Sequence, residues 1–161
     1  MVVFGIDPGS VVTGFGVVQR QRGRLIHVAS GCIKTHSKEP MEQRLMRIHD
    51  GLLEAIQAQH VDEVAIEAIF RYKSSESALR LGQARGVALL AAGRAGFSAT
   101  PYNPMTVKKS VGAHGGAGKE GLARVVRMLL GTLPEGPTDI TDALAIAITH
   151  LNHRRTAGIR R

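Results

Sequence analysis

The run Val2-Val3-Phe4-Gly5-Ile6 is almost unbroken apolar chain, the pattern of a strand buried on both faces. Gly14–Gln19 and Leu25–Lys34 read as two further strands, joined by the basic, glycine-containing turn Gln21-Arg22-Gly23, so the chain is expected to open as a three-strand meander. Met41, Leu45, Ile48, Leu52 and Ile56 then recur every three or four residues. That is one stripe of an amphipathic helix over about 40–59, with Glu42, Arg44, Arg47 and Gln57 on its polar side. Val61–Glu67 reads as a short strand, Ser74–Arg94 as a long helix and Phe97–Tyr102 as a strand, with helices near 104–111, 119–130 and 138–152. The order predicts an α/β domain whose first, fourth and fifth strands pair in parallel within a mixed five-stranded sheet flanked by helices.

In such a sheet, ligands bind beyond the carboxyl ends of the parallel strands. Asp7 and Glu67 end the first and fourth strands, and strand alternation puts Gly5 with Asp7, and Ala65 with Glu67, on one side of each. Asp139 and Asp142, three residues apart, share one face of the last helix. Taken singly, Asp7 before Pro8-Gly9 reads equally as the start of a turn, and Asp139 as a residue favoured by the positive end of a helix. Asp142 and Glu67 resist that treatment, because each interrupts an apolar run where an unpaired carboxylate is costly. Together the four acids form the oxygen-only donor set that Mg²⁺ or Mn²⁺ prefers, and bridging carboxylates can hold two ions about 4 Å apart for attack of water on a phosphodiester.

Charge turns this towards polyanions. The net charge is +8, and Arg154, Arg155, Arg160 and Arg161 in the segment 153–161 supply half of it, so a basic C-terminal tail is expected after a single domain spanning 1–152. No apolar stretch approaches a bilayer-crossing length, since the longest, Val87–Ala92, lies between Arg85 and Arg94. Cys32 has no partner for an internal disulfide and the chain enters its first strand without a cleavable leader, so a cytoplasmic location is expected.

Directly after Glu67, Phe70-Arg71-Tyr72-Lys73 alternates aromatics with cations, which suits stacking on unpaired bases while the backbone is held electrostatically. The alternative is that Phe70 is core and Tyr72 incidental. The glycine-rich stretch Gly112–Gly118 before Lys119 fails as a nucleotide-binding P-loop, because Ala113 and Glu120 stand where that motif needs glycine and Ser or Thr. A loop closing over a nucleic-acid backbone, with Lys108 and Lys119 reaching phosphates, fits better. Its one histidine, His114, reads either as a catalytic group or as a DNA contact, and His150 as a helix-surface or internally satisfied residue. Ala78, Gly82 and Gly86 make a small-residue stripe that suits internal packing or a dimer interface.

Four segments carry a family resemblance: Gly5-Ile6-Asp7-Pro8-Gly9-Ser10 with Thr13-Gly14-Phe15-Gly16, Ala65-Ile66-Glu67, Ser77–Gly86, and Asp139–Ala147. In this order they resemble the RuvC family of Holliday junction resolvases, bacterial endonucleases of ribonuclease-H-like fold, over about residues 2–151. The resemblance implies a homodimer that nicks two opposed strands of a four-way DNA junction symmetrically, leaving 5′-phosphate and 3′-hydroxyl ends, in recombination and repair. It implies that Asp7, Glu67, Asp139 and Asp142 are catalytic metal ligands, that Phe70 stacks near the junction centre, that Lys108 and Lys119 lie near the scissile phosphate, and that a branch-migration complex of RuvA–RuvB type is a partner. Ala68 and Gly118 depart from common family residues, so the preferred cutting sequence is expected to differ. Two other classes stay in view: a non-enzymatic junction-binding protein, favoured by charge alone, and an actin-like kinase, suggested by the Asp-Pro-Gly turn but lacking a second lobe.

Overall fold

The computed structural model describes residues 1–68, 74–112 and 118–159, with the side chains of 119 and 155–159 also outside the description. Strand β1 (Val2–Asp7) is the middle of a five-stranded sheet in the order β3-β2-β1-β4-β5, where β2 is Val12–Gln21, β3 Arg24–Lys34, β4 Glu63–Glu67 and β5 Ala99–Tyr102. β1 pairs antiparallel with β2 and parallel with β4, and β4 pairs parallel with β5, as the sequence predicts. The β2–β3 hairpin turns on Arg22 and Gly23, both at positive φ (49° and 82°), the two-residue turn whose twist matches that of the strands.

Helices α1 (Met41–Gln57) and α2 (Ser75–Arg94) cover one face of the sheet; α3 (Pro104–Val111), α4 (Lys119–Leu130) and α5 (Thr138–Ile159) cover the other. Phe4, Ile6, Val64 and Ile66 point to the α1/α2 side, while Val3 and Ala65 point to the α5 side. Alternation therefore sends Gly5, Asp7 and Glu67 towards α5. Among the described residues, no helix is long and apolar enough to cross a membrane.

Several boundaries differ from expectation, those of β4 and β5 for visible reasons. β5 begins at Ala99 because the Phe97 N–H caps α2 by bonding to the Ala92 carbonyl (2.9 Å) after Gly96 at φ 90°. β4 begins at Glu63 because Asp62 instead binds the Val2 N–H through its carboxylate (2.7 Å). α5 continues to Ile159, through part of the segment expected to be a tail.

One side chain is on the wrong side of the expected pattern. Arg44, placed by periodicity on the polar face of α1, is only 4% exposed. Its Nε donates to the Ser10 carbonyl (3.1 Å) and to the Thr35 hydroxyl (3.3 Å), so a backbone acceptor in the loop after β1 draws the guanidinium inward.

Candidate active site

Asp7 and Glu67 reach the same edge because β1 and β4 run parallel in the register Gly5↔Ala65 and Ile6↔Ile66. The chain after Asp7 is tied down from both sides. Thr13, fully buried, accepts from the Gly9 N–H (3.2 Å) and donates to the Gly9 carbonyl (2.7 Å); Thr35 donates to the Ser10 carbonyl (2.6 Å), which Arg44 also holds. On β4, the Glu67 carbonyl accepts from Arg85 Nε of α2 (3.0 Å), and the Ala68 N–H donates to the Tyr102 carbonyl (2.8 Å). Both carboxylate-bearing strand ends thus have fixed backbones.

The third and fourth acids arrive on α5, and three glycines let them in. A Cβ on Gly5 would collide with the Ala143 carbonyl oxygen, and one on Gly14 with the carbonyl group of Asp139. A Cβ on Gly16 would stand 2.7 Å from Leu144 Cγ. The first turns of α5 therefore lie almost backbone-to-backbone on β1 and β2. Gly14 is also the register partner of Asp7 across the β1–β2 ladder, which sets Asp139 beside Asp7. From residue 140 to 151 every position of α5 is buried except Asp142, which is partly exposed like Asp7, Glu67 and Asp139. The four acids form a solvent-reachable patch set in an apolar surround.

Their electrostatics follow from that crowding. Burial, then the charges of Glu67, Asp142 and Asp139, push the Asp7 carboxyl up to about 9, and Asp7 shares a hydrogen bond with Glu67. Glu67 is also raised, chiefly by burial; its bond to Asp7 opposes the shift, while Asp142 and Asp139 add to it. The side chains as placed form a hydrogen-bonded acid pair with two more acids in electrostatic reach rather than a closed cage. Among the described residues no three His, Cys, Asp or Glu side chains are grouped closely enough to hold an ion as they stand. The donor chemistry nevertheless fits a hard divalent cation, because all four groups offer carboxylate oxygens and their mutual repulsion is what such a charge would relieve.

Of the expected DNA contacts, Lys108 is exposed on α3, which starts directly after β5 and so lies at the same end of the sheet as the acids. The α3 N-terminus is defined by Pro104 and by the Asn103 side chain accepting from the Thr106 N–H (2.8 Å). Lys119 opens α4, with its side chain outside the described atoms. Phe70, Arg71, Tyr72, Lys73 and His114 lie outside the described residues. On the small-residue stripe of α2, no described residue stands within 4 Å of a Cβ built on Gly82 or Gly86, and Leu79 (64%) and Leu90 (55%) are exposed on the same helix. Sequence reasoning missed Arg44 and the packing duty of Gly5, Gly14 and Gly16; the glycine spacing was the available signal for the latter.

Comparison with known proteins places this geometry among relatives. The family model described as crossover junction endodeoxyribonuclease RuvC matches residues 3–150. The crossover junction endodeoxyribonuclease RuvC of Myxococcus xanthus is 48% identical over 160 residues, covering 98% of this chain and 83% of that protein. The protein of the same name from Anaeromyxobacter dehalogenans is 50% identical over 157 residues, covering 98% and 84%. Among solved structures, T. thermophilus RuvC in complex with Holliday junction substrate superposes with a TM-score of 0.87 at 37% identity, covering 97% of this chain and 96% of that one.

Proposed function

The chain belongs to the RuvC family of crossover junction endodeoxyribonucleases, with its ribonuclease-H-like fold, and from that membership we propose that it resolves four-way (Holliday) DNA junctions by paired symmetric nicks in two opposed strands. The observation that carries the reading is the convergence of Asp7, Glu67, Asp139 and Asp142 at the carboxyl ends of the central strands of a strongly basic protein. A divalent metal belongs to this family's chemistry; Mg²⁺ or Mn²⁺, two per site, held by these four carboxylates, is our assignment. Held there, such ions would supply activation of the attacking water and stabilisation of the leaving 3′ oxygen, and the products would carry 5′-phosphate and 3′-hydroxyl ends.

This chain's own residues supply the framework. The glycine contacts keep Asp139 against β1 and β2, and Arg85 and Tyr102 hold the backbone around Glu67. Lys108 and Lys119 would bind phosphates near the cut, Phe70 and Tyr72 would stack on unpaired bases, and Arg71, Lys73 and His114 would contact the backbone. The protein would act in the cytoplasm alongside a branch-migration complex of RuvA–RuvB type.

The test is cleavage mapping on a mobile four-way junction with Mg²⁺ or Mn²⁺. Paired nicks at symmetric positions, sealed afterwards by ligase, are expected. A shifted junction band with no product at any metal concentration would make the protein a binder instead.

Paired cutting needs two active sites, and the open Gly82/Gly86 stripe with Leu79 and Leu90 is the apolar surface on α2 that a second copy would cover. Leu90→Glu is therefore expected to shift the protein from dimer to monomer in analytical ultracentrifugation and to uncouple the two nicks. A dimer that persists in Leu90→Glu at micromolar concentration would place the interface elsewhere.

A further inference from the structure

The glycine-lined contact that admits α5 has a mechanical consequence. Over Gly5 and Gly14 the helix meets mostly strand backbone, with the small Ala147 side chain at Gly5 and Leu144 over Gly16 as its nearest seats. The position of α5 along the sheet determines where Asp139 and Asp142 stand relative to Glu67. Polar contacts further along the helix add a directional hold that apolar packing alone lacks.

Two turns beyond Asp142, His150 is 3% exposed and joins a polar chain that runs from the interior to the surface. The Tyr102 hydroxyl lies 3.0 Å from His150 Nδ1; His150 Nε2 meets the Glu63 carboxylate; and Glu63 accepts from Arg154 Nε (2.8 Å). Arg154 beside it holds the Glu63 carboxyl down to about 2, so Glu63 is an acceptor. The two ring nitrogens of His150 therefore lie between the Tyr102 hydroxyl and the ionised Glu63 carboxylate. The chain joins three elements. His150 and Arg154 belong to α5, Glu63 starts β4, and Tyr102 ends β5, where it is the register partner of Glu67 and accepts from the Ala68 N–H. One residue thus touches both the backbone around Glu67 and the helix that bears the other two acids.

We propose that the chain Tyr102–His150–Glu63–Arg154, buried at Tyr102 and His150, locks the position of α5 along the sheet and so sets the spacing of Asp139 and Asp142 from Glu67, making Tyr102 and His150 positioning residues for the acidic site. The proposal rests on the reading of the four acids as metal ligands. Its natural comparison is with the partners that orient metal-binding side chains from outside the ligand set, whose loss weakens metal binding while leaving the ligands in place.

The experiment measures Mn²⁺ binding to the metal-free protein by calorimetry, junction affinity without metal, and the metal dependence of junction cleavage. Tyr102→Phe removes a single hydroxyl; Glu63→Gln keeps the shape of the side chain and removes its charge, and serves if the first variant folds poorly. Both are expected to weaken Mn²⁺ binding and raise half-saturating metal about tenfold, with cleavage restored by excess metal and metal-free junction affinity unchanged. A merely structural role lowers Tm and leaves the metal titration where it was, and that result overturns the proposal. Wild-type protein that binds no Mn²⁺ would instead bring down the metal-ligand reading on which the proposal stands.

Discussion

Asp7→Asn is expected to slow junction cutting about a thousandfold or more, roughly 4 kcal/mol of transition-state stabilisation, while keeping junction affinity within about twofold of wild type. Asparagine preserves the size of the side chain and one acceptor oxygen, so the strand end and its tethered loop keep their places. What it loses is the negative charge and the second equivalent oxygen that a bridging ligand supplies. DNA affinity depends mainly on cations meeting phosphates, so a neutral residue at this one position leaves it nearly intact. Gel-shift and single-turnover cleavage on the same junction separate the two effects. Cutting at near the wild-type rate would remove Asp7 from the catalytic set.

The same substitution should stabilise the metal-free protein. The Asp7 carboxyl is raised from its ordinary 3.8 to about 9 by burial and by the charges of Glu67, Asp142 and Asp139, so the folded state holds a proton that the unfolded chain releases. Stability from this group is complete below the ordinary value and is lost as pH rises through about 9. Metal-free wild-type protein should therefore lose stability between about pH 4 and pH 9. Asp7→Asn should flatten that fall, although the share due to the raised Glu67 carboxyl remains. Asp7 is partly exposed, so only part of the shift converts into stability. Counting two pK units at about 1.4 kcal/mol each, Tm at neutral pH rises about 5–10 °C. Parallel Tm-against-pH curves for the two proteins would show that the crowding is relieved in some other way. Gathering like charges at this patch thus costs stability in the metal-free protein.

How far the chain could be read in advance follows from where each physical demand originates. The order and type of the elements are local properties: the Met41–Ile56 stripe, the apolar run of β1 and the Arg22-Gly23 turn each carry their own pattern, and the sheet order follows from their sequence. The ends of β1 and β4 were legible for the same reason, since a carboxylate closing an apolar strand is conspicuous. What local patterning could not show is any demand made from a distance. Arg44 is pulled inward by the Ser10 carbonyl 34 residues away, against the polar side that its spacing suggests. Tyr102 and Glu63 meet His150 across 48 and 87 residues, which decides between its two readings, helix surface or internally satisfied, for the second. The glycines of β1 and β2 were visible as residues, but the helix that needs their bare backbone begins at Thr138.

That distant demand makes Gly14→Ala the second large effect expected, at a position with no chemical group to lose. The added methyl would land on the carbonyl carbon and oxygen of Asp139, with the Asp139 Cβ only 2.9 Å away. Two of those three atoms are backbone, so no rotamer change relieves the clash, and the first turn of α5 must lift or slide. Overpacking of this kind costs about 3 kcal/mol, the upper end of its usual range. The catalytic loss should exceed what lost stability explains, because Asp139 moves away from Asp7, its neighbour through the Asp7↔Gly14 register. A displacement of about an ångström at a reacting centre commonly costs about a hundredfold in rate. Gly93→Ala is the matched control: it lies exposed within α2 with no described residue within 4 Å of a built Cβ, so the same change should add about 0.5–1 kcal/mol of stability and leave cutting untouched. Comparison at a temperature where both variants are fully folded isolates geometry from stability. If Gly14→Ala then cuts at the wild-type rate, α5 can shift on the sheet without disturbing the acids, and the glycine contact does not set the site.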